Sequence, residues 1–560
     1  MKKKLLSLLL ASVLIITALC GLTVGAEDAP KNTISIYSGT KDFDFWTEIL
    51  EGTSTDVTIM TADQLMAFAD LTGSFNFADW TIKLGADMVI NTGDASEWAT
   101  TAPKYTWKCS TTWTYRFAGD FDGQGHVISG LYSNYGQECG LFGTTTGGNT
   151  IQNVSVVNSY FRFNSENTGS DVCLMGGIIG YIDGNSANRD GWTTTIKNVY
   201  VSATLYTDCD VTAPGSLLGV GGIVGIVGNT SNQTLLIENA VFEGDLTSSY
   251  RHLGGILGRA RFFDTGTVTI KNCSVNANIK STNTEEPNVG GLIGVSNANV
   301  EVENCIVKGT VEVANKKMTS GFIGFENTQS NLHVTAKNVL LAVTPVPTGE
   351  ENDVIYRTLF LNYYIKPEKA LILSFDNVWY DSGLYVYPEE MKQIDKTAGD
   401  NTAIGADFTA TGVATEALKG QAVFTDWTAV DGDYPIPAGV TVPDIDVASY
   451  QDPVIPGENP GENPGENPGE NPGENPGENP GENPGENPGE QPGETETTGT
   501  TVTTKEPATT EKPAETQAPT TTETQTKKKG CGSTVGMAGI SALALITAMA
   551  VAFSKKKERN

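Results

Sequence analysis

Asp120, Asp122 and His126 fall within the segment FAGDFDGQGHVISGL at residues 117–131, and two carboxylates beside an imidazole are residue types that can move protons. The Asp-Gly and Gln-Gly steps around them are turn signals, and His126 precedes an alternating strand, so a structural turn is the plainer reading. The other two histidines, His252 and His333, lie too far apart in the chain for the convergent ligand set that zinc needs. Arg251, Arg259 and Arg261 form the chain's one concentration of arginine, which a polysaccharide lyase would use beside a calcium-binding Asp. Solvated surface charge is the plainer reading there. Tyr363, Tyr364, Tyr385 and Tyr387 are of a type that stacks on sugar rings, yet such residues also cap repeat structures. No catalytic, cofactor-binding or metal-ligating residue is therefore assigned.

Elements that would position any such chemistry announce themselves by repetition. A five-residue phrase recurs as CGLFG, GGIIG, GGIVG, GGILG, GGLIG and SGFIG, with second positions at Gly140, Gly177, Gly222, Gly255, Gly291 and Gly321. Spacing of roughly 30 to 45 residues signals stacked supersecondary units rather than one globular core. Each copy is followed by a second phrase, from IQNVSV at residue 151 to FDNVWY at residue 375, whose apolar positions are first, fourth and sixth. Inward parity flips across the central Asn, which a straight strand cannot do. Asn tolerates left-handed backbone, so Asn153, Asn198, Asn239, Asn272, Asn304, Asn338 and Asn377 are read as corners whose side chains bond in a ladder when stacked. The glycine phrase is read as a further short strand, with Gly where a neighbouring backbone comes close. The fold expected is all-β: a parallel β-helix or solenoid of two or three strands per coil, right-handed by default, with small capping elements.

Cys273 and Cys305 occupy the repeat position of Val154, Val199 and Val339, which makes them inward core fillers. Stacked one coil apart, they would also sit at a spacing that permits a disulfide. Eight cysteines in 560 residues are sparse for a disulfide scaffold, with Cys20 and Cys531 near the ends. The formal net charge of −30 argues against nucleic acid or anionic membrane as a ligand.

Flanking signals divide the rest. Residues 1–26 combine Lys2–Lys4, an apolar run and Val24-Gly25-Ala26, the order of a secretory signal peptide. Leu19 before Cys20 is bulky where a lipoprotein signal has a small residue. Residues 27–116 are assigned to an N-terminal cap, with helical apolar spacing over 60–71 and Thr61 as its N-cap candidate, and 117–380 to the coils. A C-terminal cap at 381–450, carrying Phe424, Trp427 and Tyr434, covers the far coil, whose edge would otherwise invite aggregation. From Pro456 the unit PGEN runs eight times, then a Thr/Pro/Glu-rich tract follows; residues 451–530 read as a disordered stalk reaching up to roughly 200 Å. Within 531–560, the uncharged run at 535–553 followed by a basic cluster reads as a transmembrane helix with a cytoplasmic tail.

On the opening MTADQLMAFADL, TIKLGADMVI, the segment at 117–131, the glycine phrases, VWYDSG and VATEALKG, the chain resembles bacterial surface proteins with GLUG-type repeats over about residues 58–438. Cys139 and Ser320 depart from the pattern at its first Gly. The resemblance implies an extracellular β-helical repeat rod and no settled activity. Together these readings lead to a non-enzymatic, adhesin-like cell-surface protein binding an extracellular glycan or protein. It would be tethered to its own membrane, with no nucleic-acid partner and no cofactor. A tethered polysaccharide lyase or hydrolase, and a structural wall-layer component, are the alternatives.

Overall fold

In a computed structural model, seven long strands carry the Asn phrases: Thr150–Phe163, Thr193–Thr207, Thr234–Ser248, Thr267–Ser281, Asn299–Val313, Leu332–Val346 and Leu371–Asp381. The structure describes residues 33–453, except 109–114, 135–137, 164–171, 185–191, 208–217, 229–232, 263–265, 284–286, 314–318, 329–330, 347–357, 366–368, 385–391, 397–403 and 408–409. The signal peptide, nearly all of the stalk, the apolar run at 535–553, and Cys20, Cys109, Cys209, Tyr385, Tyr387 and Cys531 lie outside the described residues. Among the described residues no helix is long and apolar enough to cross a membrane.

Each long strand pairs in parallel with its counterpart one repeat away, Val199 with Ala240 and Cys273 with Cys305, for example. The chain is mostly β, and its strands stack into three long parallel sheets, an arrangement consistent with a β-helix. Inward columns such as Ile151, Ile196, Ile237, Ile270 and Val302 are at most 2% exposed. Burying each such side chain contributes about 1.5–3 kcal/mol, which is the main force holding the coils in register.

At every Asn corner the backbone is left-handed: φ is 55° at Asn153, 52° at Asn198, Asn272, Asn304 and Asn338, 51° at Asn239 and 53° at Asn377. Pairing skips the Asn and resumes with the next residue, so the corner bends the strand without breaking the ladder. Asn153 Nδ2 donates to Asp122, Asn198 to Asn153 and Asn239 to Asn198; beyond a gap, Asn304 donates to Asn272, Asn338 to Asn304 and Asn377 to Asn338, at 2.8–3.2 Å.

The glycine phrase is not one strand. It is a tight corner between two strands of different sheets: Leu218–Gly221 ends as Gly222-Ile223 turns, and Val224–Gly228 then begins the other sheet. A Cβ on Gly177, Gly222, Gly255 or Gly291 would lie 2.1–2.5 Å from the next coil's glycine carbonyl, Gly321 supplying the last of these. That close approach, and not strand propensity, is what the repeat preserves. Gly140 follows a different register, because Cys139 pairs with Met175 where the phrases align it with Gly176; Ser320 pairs with Gly290 as aligned.

Stacking also extends beyond residues 117–380. Strands Ile34–Ile36, Asp56–Ile59, Thr81–Leu84 and Asp87–Val89 continue the largest sheet from the region read as a cap, beside helices Phe43–Glu51 and Ala62–Leu71. Thr61 accepts from Gln64 N at the second helix, whose Phe68 joins Trp46, Phe77, Phe117 and Phe142 in closing the core. At the other end Ala410–Val413 adds a last parallel strand. Residues 414–453 then do not cover that end alone. They run back along the outside of the largest sheet. Phe424, Trp427 and Tyr434 pack on Ile306 and Leu340, Val440 and Val447 on Tyr200 and Val241, and Tyr450 donates to Asp87 in the N-terminal region.

Candidate functional site

On the outer face of the largest sheet, just before the Asn corners, side chains line up in columns. One column reads Gln152, Lys197, Glu238, Lys271, Glu303, Lys337 and Asp376 in register, alternating in charge from Lys197 onward. Glu303 is shared between Lys337 at 3.3 Å and Lys271 at 3.8 Å. A second column two residues earlier reads Thr150, Thr195, Leu236, Thr269, Glu301, Thr335 and Ser374. Across the last four repeats these columns line a shallow groove of about 290 Å³, with Lys271, Glu301, Glu303, Thr335, Lys337 and Asp376 on its walls. Donors and acceptors there alternate every coil, about 4.8 Å apart, which suits hydrogen bonding to an extended polar ligand.

A second cluster sits where the two strands of the glycine corner face each other. A Cβ on Gly219 would meet Ile226 at 2.7 Å, and Leu174, Tyr181 and Ile226 form a small apolar cluster apart from the main core. Charged groups join them: Arg116 pairs with Asp183 at 2.6 Å, and Tyr181 donates to the same carboxylate. Arg259 follows Tyr181 and Ile226 in the column. Burial, then Arg261 and Arg251, lower its guanidinium to about 10, which leaves it charged at neutral pH. His252 is held well below the usual imidazole range by burial, Arg259 and Arg251. Its Nδ1 lies 2.9 Å from Asn288 Nδ2, which can only donate, so the neutral ring accepts there. The three arginines flagged in the sequence are thus brought together, with a buried histidine already committed to structure.

Burial also pushes Glu138 up to about 7 against the opposing pull of Arg116. Its folded state holds the proton more tightly than the unfolded chain. Its own contribution to stability should therefore fall as pH rises from about 4.5 to 7 and level off above, with a slope of up to about 1.4 kcal/mol per pH unit, alongside a further fall from Glu326 and an opposing rise from His252. Glu138→Gln should make the slope less negative by up to about 1.4 kcal/mol per pH unit in urea melts run across this window; a slope equal to that of the wild type would exclude Glu138 as a source.

Asp120, Asp122 and His126 are not brought together as an acid/base group. Asp120 accepts from Thr150 N, Asp122 accepts from Gln124 N, Gln152 and Asn153, and His126 faces Asp87 at 2.9 Å. Asp122 thereby starts the Asn ladder, and those bonds hold it below the ordinary carboxylate range despite partial burial. Cys273 and Cys305 are buried free thiols, their Sγ atoms 3.1 and 3.2 Å from the carbonyls of Lys271 and Glu303, so the disulfide that spacing permits is not formed. The strand Thr358–Ile365 carries Tyr363 and Tyr364, whose side chains lie outside the described residues. Sequence reasoning missed Asp87, Glu138, Asp183 and the fully buried Glu326, whose burial beside Ser296 raises it well above the carboxylate range. Glu326 was findable: it pairs with Ser296 in the column of Val227 and Ala260, all inward.

No family model matches the sequence, and no curated protein matches it. Among solved structures it is similar to one described as a "putative immunoglobulin A1 protease from Bacteroides ovatus", at 17% identity over 70% of this chain and 95% of that one, with a TM-score of 0.37. A likeness at that level says nothing about what this chain does.

Proposed function

We propose that this chain is a non-enzymatic, adhesin-like surface protein of the GLUG-repeat type. Its coils form a right-handed β-helix that binds an extracellular glycan or protein. In this reading residues 1–26 direct export, the 451–530 stalk lifts the coils through the wall, and 531–560 hold the chain in its own membrane. The carrying observation is the in-register polar face with its shallow groove from Lys271 to Asp376. Open, alternating donors and acceptors suit many weak contacts, which many copies on one cell would multiply.

The test is a glycan and purified-cell-wall array probed with the whole secreted chain, with unsaturated and reducing ends assayed in the same wells. Binding without product supports the adhesin. New ends would move the protein to the lyase or hydrolase class and the search to Arg251, Arg259 and Arg261. Self-association without ligand would point to a wall-layer component. The double variant Lys271→Gln with Lys337→Gln, which removes both cations without adding like charges to the column, should weaken array binding about tenfold, roughly 1.4 kcal/mol, while leaving the melting temperature within a few degrees. Unchanged binding would exclude this groove.

A further inference from the structure

The segment 414–453 packs across the outer face of the largest sheet. At its start Thr415 Oγ1 and Tyr434 Oη both donate to the buried Asp381, and Asp433 pairs with Lys308 at 2.8 Å. Beyond Tyr434 the segment crosses the stacked strands instead of joining them. Gly439, at φ 79°, lies over Asn272, where a Cβ would come 2.5 Å from the side-chain amide. Thr441 N then donates to Asn239 Oδ1 at 2.7 Å, taking the acceptor that would otherwise continue the Asn ladder to Asn272. The gap in the ladder is the footprint of this crossing.

The far anchor is built in the N-terminal region, roughly 30 Å away at about 4.8 Å per coil. Asp87, 1% exposed, receives Tyr450 Oη at 2.8 Å on one oxygen; on the other it receives Val127 N at 3.0 Å and faces His126 Nδ1. Gly93 N donates to Gln451 O at 2.8 Å, and Gln451 Nε2 reaches Asn158 Oδ1 at 3.1 Å. Apolar contacts in between, from Val440, Ile445 and Val447, cover Tyr200 and Val241.

We propose that residues 414–453 are a strap that yields to tension before the coils do, releasing slack between the coils and whatever holds the C-terminus. The physical reason is geometric. A long strand is held by as many as fourteen paired residues that must separate together. The strap between Pro437 and Asp452 is held at separate points, each able to break singly as it peels from Tyr450 inward. Fully extended, the 40 residues from 414 to 453 span about 140 Å. The proposal rests on the tethered-surface reading only in assuming that tension arrives through residues beyond 453. The experiment applies that tension directly, so its failure would leave the ligand and anchorage assignments standing, and theirs would leave this result standing.

The full chain is held by its C-terminus and by a handle on an exposed coil residue, introduced as Lys337→Cys, and pulled as a single molecule. The expected first event lengthens the chain by about 110 Å, the extended span less the roughly 30 Å the docked strap already covers, in one or two steps, before any coil opens. Tyr450→Phe, which keeps the ring's packing but removes its bond to Asp87, should make that event about tenfold faster at constant force without changing its length. A first event much longer than about 110 Å would overturn the proposal. So would a Tyr450→Phe variant with an unchanged first event.

Discussion

Gly222→Ala is expected to cost about 4 kcal/mol or more and to strip cooperative unfolding from the coils around it. A methyl there would lie 2.1 Å from Gly255 O and 2.4 Å from the Phe242 ring. The carbonyl belongs to the next coil's corner and the ring to the packed interior, so neither can give way without moving a strand. Costs of this size come from overpacking that cannot relax. Gly420→Ala is the matched control: Gly420 has φ 72° and nothing within 4 Å of a new Cβ, so only the left-handed backbone is penalised, by about 1–2 kcal/mol. Thermal and urea melts of the two variants should separate widely. If they melt together, close approach is not what the glycine phrase protects.

Asn304→Ala should be the next most damaging single change, at about 3–4 kcal/mol. Asn304 has φ 52°, donates to Asn272 Oδ1 at 3.2 Å and accepts from Asn338 Nδ2 at 3.0 Å. Alanine bears the left-handed penalty of about 1–2 kcal/mol and also loses two hydrogen bonds worth about 1 kcal/mol each. Asn304→Gly keeps the backbone conformation and loses only the ladder, so it should fall between alanine and the wild type, near 2 kcal/mol. An alanine variant as stable as the glycine one would remove the backbone from this account. Equal losses at Asn272, which donates to no neighbouring Asn among the described residues, would argue that the ladder's hydrogen bonds matter little.

These two positions also show how much of the fold could be read from the chain. At the Asn corners a local contradiction, inward parity flipping across one residue, admits one backbone solution, and left-handed φ is found at all seven. At the glycine phrase two readings were open locally. Glycine allows close approach within a strand or at a corner, and only the register of neighbouring coils places Gly222 and Ile223 between two sheets. The strap was illegible for a further reason. Residues 437–450 have neither helical nor strand periodicity, and Tyr450 meets its acceptor 363 positions earlier. The arginine cluster was visible as composition at residues 251–261, but its companions are not: Arg116 and Asp183 are 67 positions apart in the chain and 2.6 Å apart in space.

The alternating column from Lys197 to Asp376 carries a consequence for how such a chain can lengthen or shorten. Losing the single repeat that holds Lys271 would set Glu238 beside Glu303, like charge against like, where opposite charges now meet. Losing the adjacent repeat as well would bring Glu238 against Lys337 and restore the alternation. Each like-charged contact across neighbouring strands costs a few tenths of a kcal/mol up to about 1 kcal/mol, a small bias that recurs with every change of length. Repeats in this stretch should therefore be gained and lost in pairs, so that the column behaves as a parity check on the gene.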